Sequence, residues 1–310
     1  MSKVLDAKLF QFDLNVHRAI RYPILIFKTL ATFIKEKPNL LLVQNPSIVL
    51  ALISVTYGKI TNIPVVVDTH NAGIFPFGGG KWWANLITIY IFKLAKYTIV
   101  TNDALAQYVR SKGGRPFVFP DPIQDFAIAQ KDVKKLKGSY NILFICSWAS
   151  DEPYNGVISA ARHLSKDIVI YMTGENTGNK EIMHSQLPAN VILTGYLSHD
   201  DFISMLFSCD VVMDLTMREN CLVCGAYEAI SAEQPLILSD TKALKKYFFK
   251  GCLFTNNQVY DIVDKINQSI SNKELLKAEI KKLKKELIDS WQRNKERFEQ
   301  LIRSQESANK

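Results

Sequence analysis

DVVMDLTMRENCLVCGAYEAISAEQPLILSD, residues 210–240, divides into strand, polar loop, helix, tight turn and strand. Residues 210–215 form a short Val-rich apolar run of the kind a buried parallel strand needs. Gly225, Ala226 and Ala229 are small and keep the start of the following helix accessible, and Glu228 lies about one turn inside it. Gln234-Pro235 ends the helix and leads into the strand at 236–238. A helix that starts just after a parallel strand turns free N–H groups outward and makes an anion site. A carboxylate further in accepts hydrogen bonds from sugar hydroxyls. Phosphate and hydroxyl recognition side by side imply a pocket for a nucleotide sugar.

The same alternation runs through the chain. Strands are expected at 40–43, 65–68, 98–101, 116–119, 141–146, 168–173, 191–194, 210–215, 236–238 and 252–254. Helices are expected at 48–58, 82–96, 103–111, 154–164, 200–208, 222–232, 242–248 and 259–271, with one or two long helices from Asn272 onward. This predicts an α/β protein with two doubly wound parallel sheets, whose ligands bind at the carboxyl ends of the strands. Pro120-Asp121-Pro122 and a Lys-rich stretch (Lys131, Lys134, Lys135, Lys137) mark the linker. The expected division is an N-terminal domain at 1–128, a second domain at 129–289, and a terminal helix at 290–310 that packs back towards the first. No strand and Gly-rich turn precede residues 9–12, so the first domain is expected to lack its opening βα unit.

With 47% hydrophobic and 22% charged residues, the 310-residue chain is a folded globular one. The five cysteines are odd in number and lie mostly in apolar runs, which fits reduced thiols in the cytoplasm. No signal peptide or spanning apolar run is visible. Cys221-x-x-Cys224 lacks the second pair that zinc needs, and no Asp-x-Asp occurs, so no metal or other cofactor is expected. The net charge of +8 is spread without a nucleic-acid recognition motif, so no nucleic-acid partner is expected. The first 40 residues carry seven Lys/Arg against three Asp/Glu, a net of +4. From Pro23, a helical pattern sets Ile24, Phe27, Leu30, Phe33 and Ile34 on one face, flanked by Arg18, Arg21, Lys28, Lys35 and Lys37. Both a helix on an anionic bilayer and a packed helix with a solvated basic face fit this pattern.

Several strand ends carry chemistry. Gln44-Asn45-Pro46-Ser47 follows the first strand, where Asn45 faces a ligand while Ser47 or Asn45 caps the next helix. Asp68 and His70 end the next strand and suit acid–base work on a hydroxyl, with Asn71 and Gly79 in the loop beyond. Phe75, Phe77, Trp82 and Trp83 with Lys81 suit either a lipid-linked ligand or a hydrophobic plug. In the second domain, Ser147 and Ser150 gather near Asp151 and Glu152, which also suit the dipole of the helix behind them. Gly195 lets a ligand approach, and Tyr196 is placed beside a base.

In order and spacing these residues resemble family 4 glycosyltransferases, with the GT-B architecture of two facing Rossmann-like domains. The likeness is greatest to the β-mannosyltransferase group that extends dolichol-linked chitobiose, and its bacterial relatives. It rests on Gln44-Asn45-Pro46, on Asp68 with His70-Asn71, on Ser147-Trp148 with Asp151-Glu152, on Thr194-Gly195, and on Gly225-Ala226-Tyr227-Glu228. The resemblance implies transfer from a nucleotide sugar (UDP- or GDP-linked) to a hydroxyl of a lipid-linked or polysaccharide acceptor, without metal. The work would be cytoplasmic, with peripheral contact at the inner face of the membrane. The first domain would hold the acceptor through Asn45, Asn71 and Gly79, with Asp68 and His70 catalytic. The second would bind the donor through Ser147, Trp148, Gly195, Tyr196, Arg218, Asn220, Cys224, Gly225 and Glu228. Glu228 matches the second Glu of the family's E-x7-E pattern, and Asn220 stands in place of the first. The basic pair that many members place on the diphosphate is absent between residues 147 and 154, which leaves that task to the helix start at 222–225 and Arg218. A non-catalytic or partner-completed GT-B subunit and a nucleotide-sugar epimerase stay open as alternatives.

Overall fold

The structure is a computed structural model that describes residues 7–45, 47–126, 134–175 and 187–308. Pro46, Lys131 and the expected boundary at 128/129 lie outside the described residues. The chain divides into two compact units, Met1–Pro120 with Trp291–Lys310, and Asp121–Ser290.

The first unit opens with helix α1 (Arg18–Glu36). Four parallel strands follow, β1 (Leu41–Asn45), β2 (Val65–Thr69), β3 (Tyr97–Val100) and β4 (Pro116–Val118), alternating with α2 (Ile48–Thr61), α3 (Asn71–Ile74), α4 (Trp82–Leu94) and α5 (Asp103–Ser111). The strands lie in sequence order, β1-β2-β3-β4. Right-handed crossovers that all advance one way put their helices on one face of a sheet. On that face Leu41, Val43, Val65 and Val67 pack with α2 and α4. The alternate residues Leu42, Val66, Ile99 and Phe117 point the other way. That second face is covered from the far end of the chain by α11 (Lys273–Ala308). Phe298 lies 4.9 Å from Phe117 between ring centres, and Trp291 stacks on Phe119 at 5.4 Å. The Trp291 indole N–H donates to the Pro120 carbonyl at 3.1 Å.

The second unit holds β5 (Tyr140–Phe144), β6 (Ile168–Thr173), β7 (Val191–Gly195), β8 (Val211–Asp214), β9 (Leu236–Ser239) and β10 (Cys252–Thr255). Their order is β10-β9-β8-β5-β6-β7, all parallel, so the sheet reverses direction between β5 and β8. On one face Ile142, Phe144, Ile170 and Met172 pack with α6 (Tyr154–Ala161) and α10 (Val259–Ser271). On the other, Leu143 and Val212 pack with α7 (His199–Ser208), α8 (Cys224–Ser231) and the first half of α11, through Ile280, Leu283 and Leu287. α9 is Lys242–Tyr247.

Each expected strand and helix is present, with ends moved by a few residues. α1 begins before Pro23, which lies inside it, rather than at the proline. Its apolar residues also divide differently: Phe33 is buried and Leu30 packs on the core, while Ile24, Phe27 and Ile34 are exposed. The reversal of a doubly wound sheet is present in the second unit. Among the described residues the first sheet runs one way only.

Candidate functional site

Ligands of an open parallel sheet bind beyond the carboxyl ends of its strands where the order reverses. In the second unit that place is framed by the β5–α6 loop (145–153) and the β8–α8 loop (215–223). The first loop turns sharply, with Trp148 in the left-handed region at φ 62. Its indole N–H donates to the Thr173 carbonyl at 3.1 Å, and its ring packs on Tyr154 at 5.3 Å. The turn points several donors inward at one spot, an arrangement that suits an anion. Here Glu152 supplies it. Ser147 gives the Glu152 carboxylate its N–H (2.9 Å) and hydroxyl (2.8 Å), and Ala149 gives its N–H (2.9 Å).

Asp151 reaches across to the second loop. Its carboxylate accepts the Thr216 hydroxyl at 2.9 Å and pairs with the Arg218 guanidinium at 2.9 Å, while its carbonyl accepts the Met217 N–H at 2.8 Å. The two acids, which also suited the dipole of α6, instead order the loops. α6 starts two residues after Glu152, at Tyr154, and Pro153 gives it no side-chain cap.

α8 also begins without a cap from its preceding residue, because Val223 has no side-chain acceptor. Gly225 in its first turn is required by close approach: a Cβ there would stand 2.5 Å from Asp214 Oδ2 and 2.5 Å from Ile145 Cδ1. Asp214 ends β8 and is only 8% exposed. Burial pushes its carboxyl well above the usual range, the charges of Glu152, Glu228 and Asp151 push the same way, and the Gly225 N–H opposes them. Glu228, one turn further along, is half-buried. Burial raises its carboxyl too, against a lowering by His199. Asp214 was not singled out from sequence, although an acid closing the run Val-Val-Met-Asp was its signal.

Of the expected donor residues, Ser147, Trp148, Arg218 and Gly225 therefore meet around the reversal. Asn220 is exposed in the connection between β8 and α8, and Cys224 is exposed as the first residue of α8. Gly195 and Tyr196 stand at the end of β7, with β6 between it and β5. Gly195 adopts φ 68 with open space where a Cβ would go, and Tyr196 is 85% exposed.

In the first unit, Asn45 ends β1 beside Thr69 of β2. The His70 N–H donates to the Asn45 carbonyl at 3.2 Å, and His70 precedes α3 without capping it. Asp68, His70 and Asn71 are each partly exposed along this end of β2. Asn45 is fully buried, and a Cβ on Gly73 would come within 2.7 Å of its Cγ. Both amide atoms of Asn45 are buried without a hydrogen-bond partner among the described residues, and Ser47 caps α2. Gly79, at φ 80, accepts the Asn85 amide at 2.8 Å through its carbonyl.

Residues 125–286, just over half of the chain, match the family described as "Glycosyl transferases group 1". No curated protein matches the sequence. Among solved structures the chain is similar to Anabaena Alr3699/HepE in complex with UDP, with TM-score 0.75, 14% identity, and 91% of this chain and 82% of that one covered. The HepE complex with UDP-glucose gives 0.73, 14%, 90% and 82%. α,α-Trehalose 6-phosphate synthase from Burkholderia multivorans gives 0.72, 12%, 97% and 79%. At such identities the likeness establishes the GT-B type of fold.

Proposed function

The chain belongs to the group 1 glycosyltransferases, and from that premise we propose that it moves a sugar from a UDP- or GDP-linked donor to a hydroxyl of a lipid-linked or polysaccharide acceptor. The second unit takes the donor and the first the acceptor. The observation that carries the reading is the convergence at the β5/β8 reversal of a helix start that Val223 leaves without a side-chain cap, the Asp151-held Arg218 and the half-buried Glu228. Arg218 and the first-turn N–H groups of α8 other than that of Gly225, which Asp214 holds, face the diphosphate. Glu228 accepts hydroxyls of the donor, Asn220 also helps to position it, and Tyr196 lies by the base. Glu152 already takes the Ser147 and Ala149 donors of the β5–α6 loop, which supports a diphosphate held from the α8 side. UDP and UDP-glucose bound to HepE support a UDP-linked donor.

In the transfer, the acceptor oxygen bonds to the anomeric carbon, the bond from that carbon to the diphosphate breaks, and the nucleoside diphosphate leaves. Asp68 or His70 takes the hydroxyl proton. The motif likeness to the chitobiosyl-diphosphodolichol β-mannosyltransferase group favours a lipid-diphosphate-linked acceptor, reached at the cytoplasmic face of a membrane. The reaction needs no metal. The test is a thermal-shift screen with UDP-, GDP- and dTDP-sugars, followed by transfer assays to lipid-linked acceptors with and without EDTA. Stabilisation by one base and EDTA-resistant transfer are expected. An absence of both binding and transfer across the panel refutes the reading.

A further inference from the structure

α1 carries two apolar faces. Thr29 and Phe33 are buried and Leu30 packs on the core, so one face is used by the fold. Ile20, Ile24, Phe27, Ala31 and Ile34, spaced by four, three, four and three residues, are all exposed. That spacing makes one continuous stripe, and Phe27 within it is 74% exposed. Arg21, Lys28 and Lys35 each follow a residue of the stripe by one position, so a basic row runs along its flank. The helix holds a single acid, Glu36 at its end, and that is paired with Lys8 at 2.7 Å. A second exposed apolar row lies in the same unit on α4: Trp82, Leu86 and Tyr90, four residues apart, with Trp82 75% exposed and Lys81 preceding it. Phe77 stands beside it at a left-handed φ of 53, its ring 5.6 Å from Trp83.

We propose that the exposed stripe of α1, with the Trp82 row as a second contact, docks the protein on an anionic lipid bilayer. An apolar face sinks to the headgroup boundary while flanking Lys and Arg stems reach out to lipid phosphates. Trp and Tyr suit that boundary. A second copy of α1 is the competing occupant, since the spacing is also that of a coiled-coil seam. The charges disfavour it. The positions that flank the seam on one side, after Ile20, Phe27 and Ile34, are Arg21, Lys28 and Lys35, and those on the other are Pro23, Leu30 and Lys37. A paired copy would bring cations together with no acid to meet them, over fewer than three heptads. The surface deepens the membrane part of the function proposed above; it needs no sugar, so its failure leaves donor binding and sugar transfer untouched.

The test is co-sedimentation of the full chain with phosphatidylcholine vesicles, with and without phosphatidylglycerol. Binding to the anionic vesicles alone is expected. Neutralising the row (Arg21→Gln, Lys28→Gln, Lys35→Gln) should weaken it on the order of a hundredfold. Phe27→Ser should weaken it roughly tenfold or more. Both variants alter exposed or partly exposed groups, and circular dichroism checks that they fold. The proposal is overturned if the wild type stays in the supernatant, if it binds neutral vesicles equally, or if neither variant weakens binding. It is also overturned by a dimer that Phe27→Ser splits in the absence of lipid binding.

Discussion

Gly225→Ala tests the packing of the donor site most directly, because two opposing effects are both readable. In a helix, alanine is favoured over glycine by up to about 1 kcal/mol. Against that, the new Cβ would lie 2.5 Å from the Asp214 carboxylate and 2.5 Å from Ile145 Cδ1. Asp214 is buried and already bonded to the Gly225 N–H, so it has little room to move. Overpacking of this kind costs about 1–3 kcal/mol, which leaves a net loss of up to about 2 kcal/mol and a fall in Tm of up to about 8 °C. Gly156→Ala, in α6, is the control. Its Cβ would meet nothing closer than the Asn257 carbonyl at 3.4 Å and Ile262 Cδ1 at 3.7 Å. That variant should gain up to about 1 kcal/mol. The assay is thermal unfolding of both variants beside wild type, with nucleotide-sugar binding as the second readout. If Gly225→Ala is stabilised as much as Gly156→Ala, the close approach of α8 to β8 is wrong, and with it the positioning of the helix start.

Other outcomes follow from the same geometry. Asp214→Asn removes a carboxyl whose value is raised in the fold, and a raised acid loses stability as pH climbs from its ordinary 3.8 towards its folded value. The variant should therefore gain Tm at neutral pH and little or nothing below the ordinary carboxylate range; an equal shift at both pH values would rule out this assignment. Arg218→Ala breaks a partly exposed pair, so stability should change by less than about 1 kcal/mol. If Arg218 meets the diphosphate, affinity for the preferred nucleoside diphosphate falls roughly tenfold to a hundredfold, and unchanged affinity by calorimetry contradicts that role. Phe298→Ala empties a fully buried site on the second face of the first sheet. A loss of about 3–5 kcal/mol in denaturant melts is expected, and a change under about 1 kcal/mol is evidence against α11 covering that face.

The elements themselves were legible because local pattern decides them. Val65, Val66 and Val67 can only be a strand buried on both faces, and Gln234-Pro235 stops α8 whatever surrounds it. Glu228 could be placed on α8, and Ser147 and Arg218 at strand ends, by counting along the chain. Asp151 and Glu152 were harder. A carboxylate before a helix is ordinarily read as serving the helix dipole, and only the turn at Trp148 and the neighbouring loop show what these two bind. α1 misled for a related reason. Periodicity gathers Phe27 and Phe33 into one apolar set, but it says nothing of which side meets a core.

The sequence alone determined the alternation of strands and helices, the parallel sheets and the family motifs, since these depend on periods of two and 3.6 residues and on short spacings. Strand order was beyond it. The reversal between β5 and β8, the closing of the first sheet's bare face by Trp291 and Phe298, and the burial of Asp214 against Gly225 join residues far apart in the chain. Such contacts are selected by the fit of packed faces in three dimensions, so only the tertiary structure could decide them.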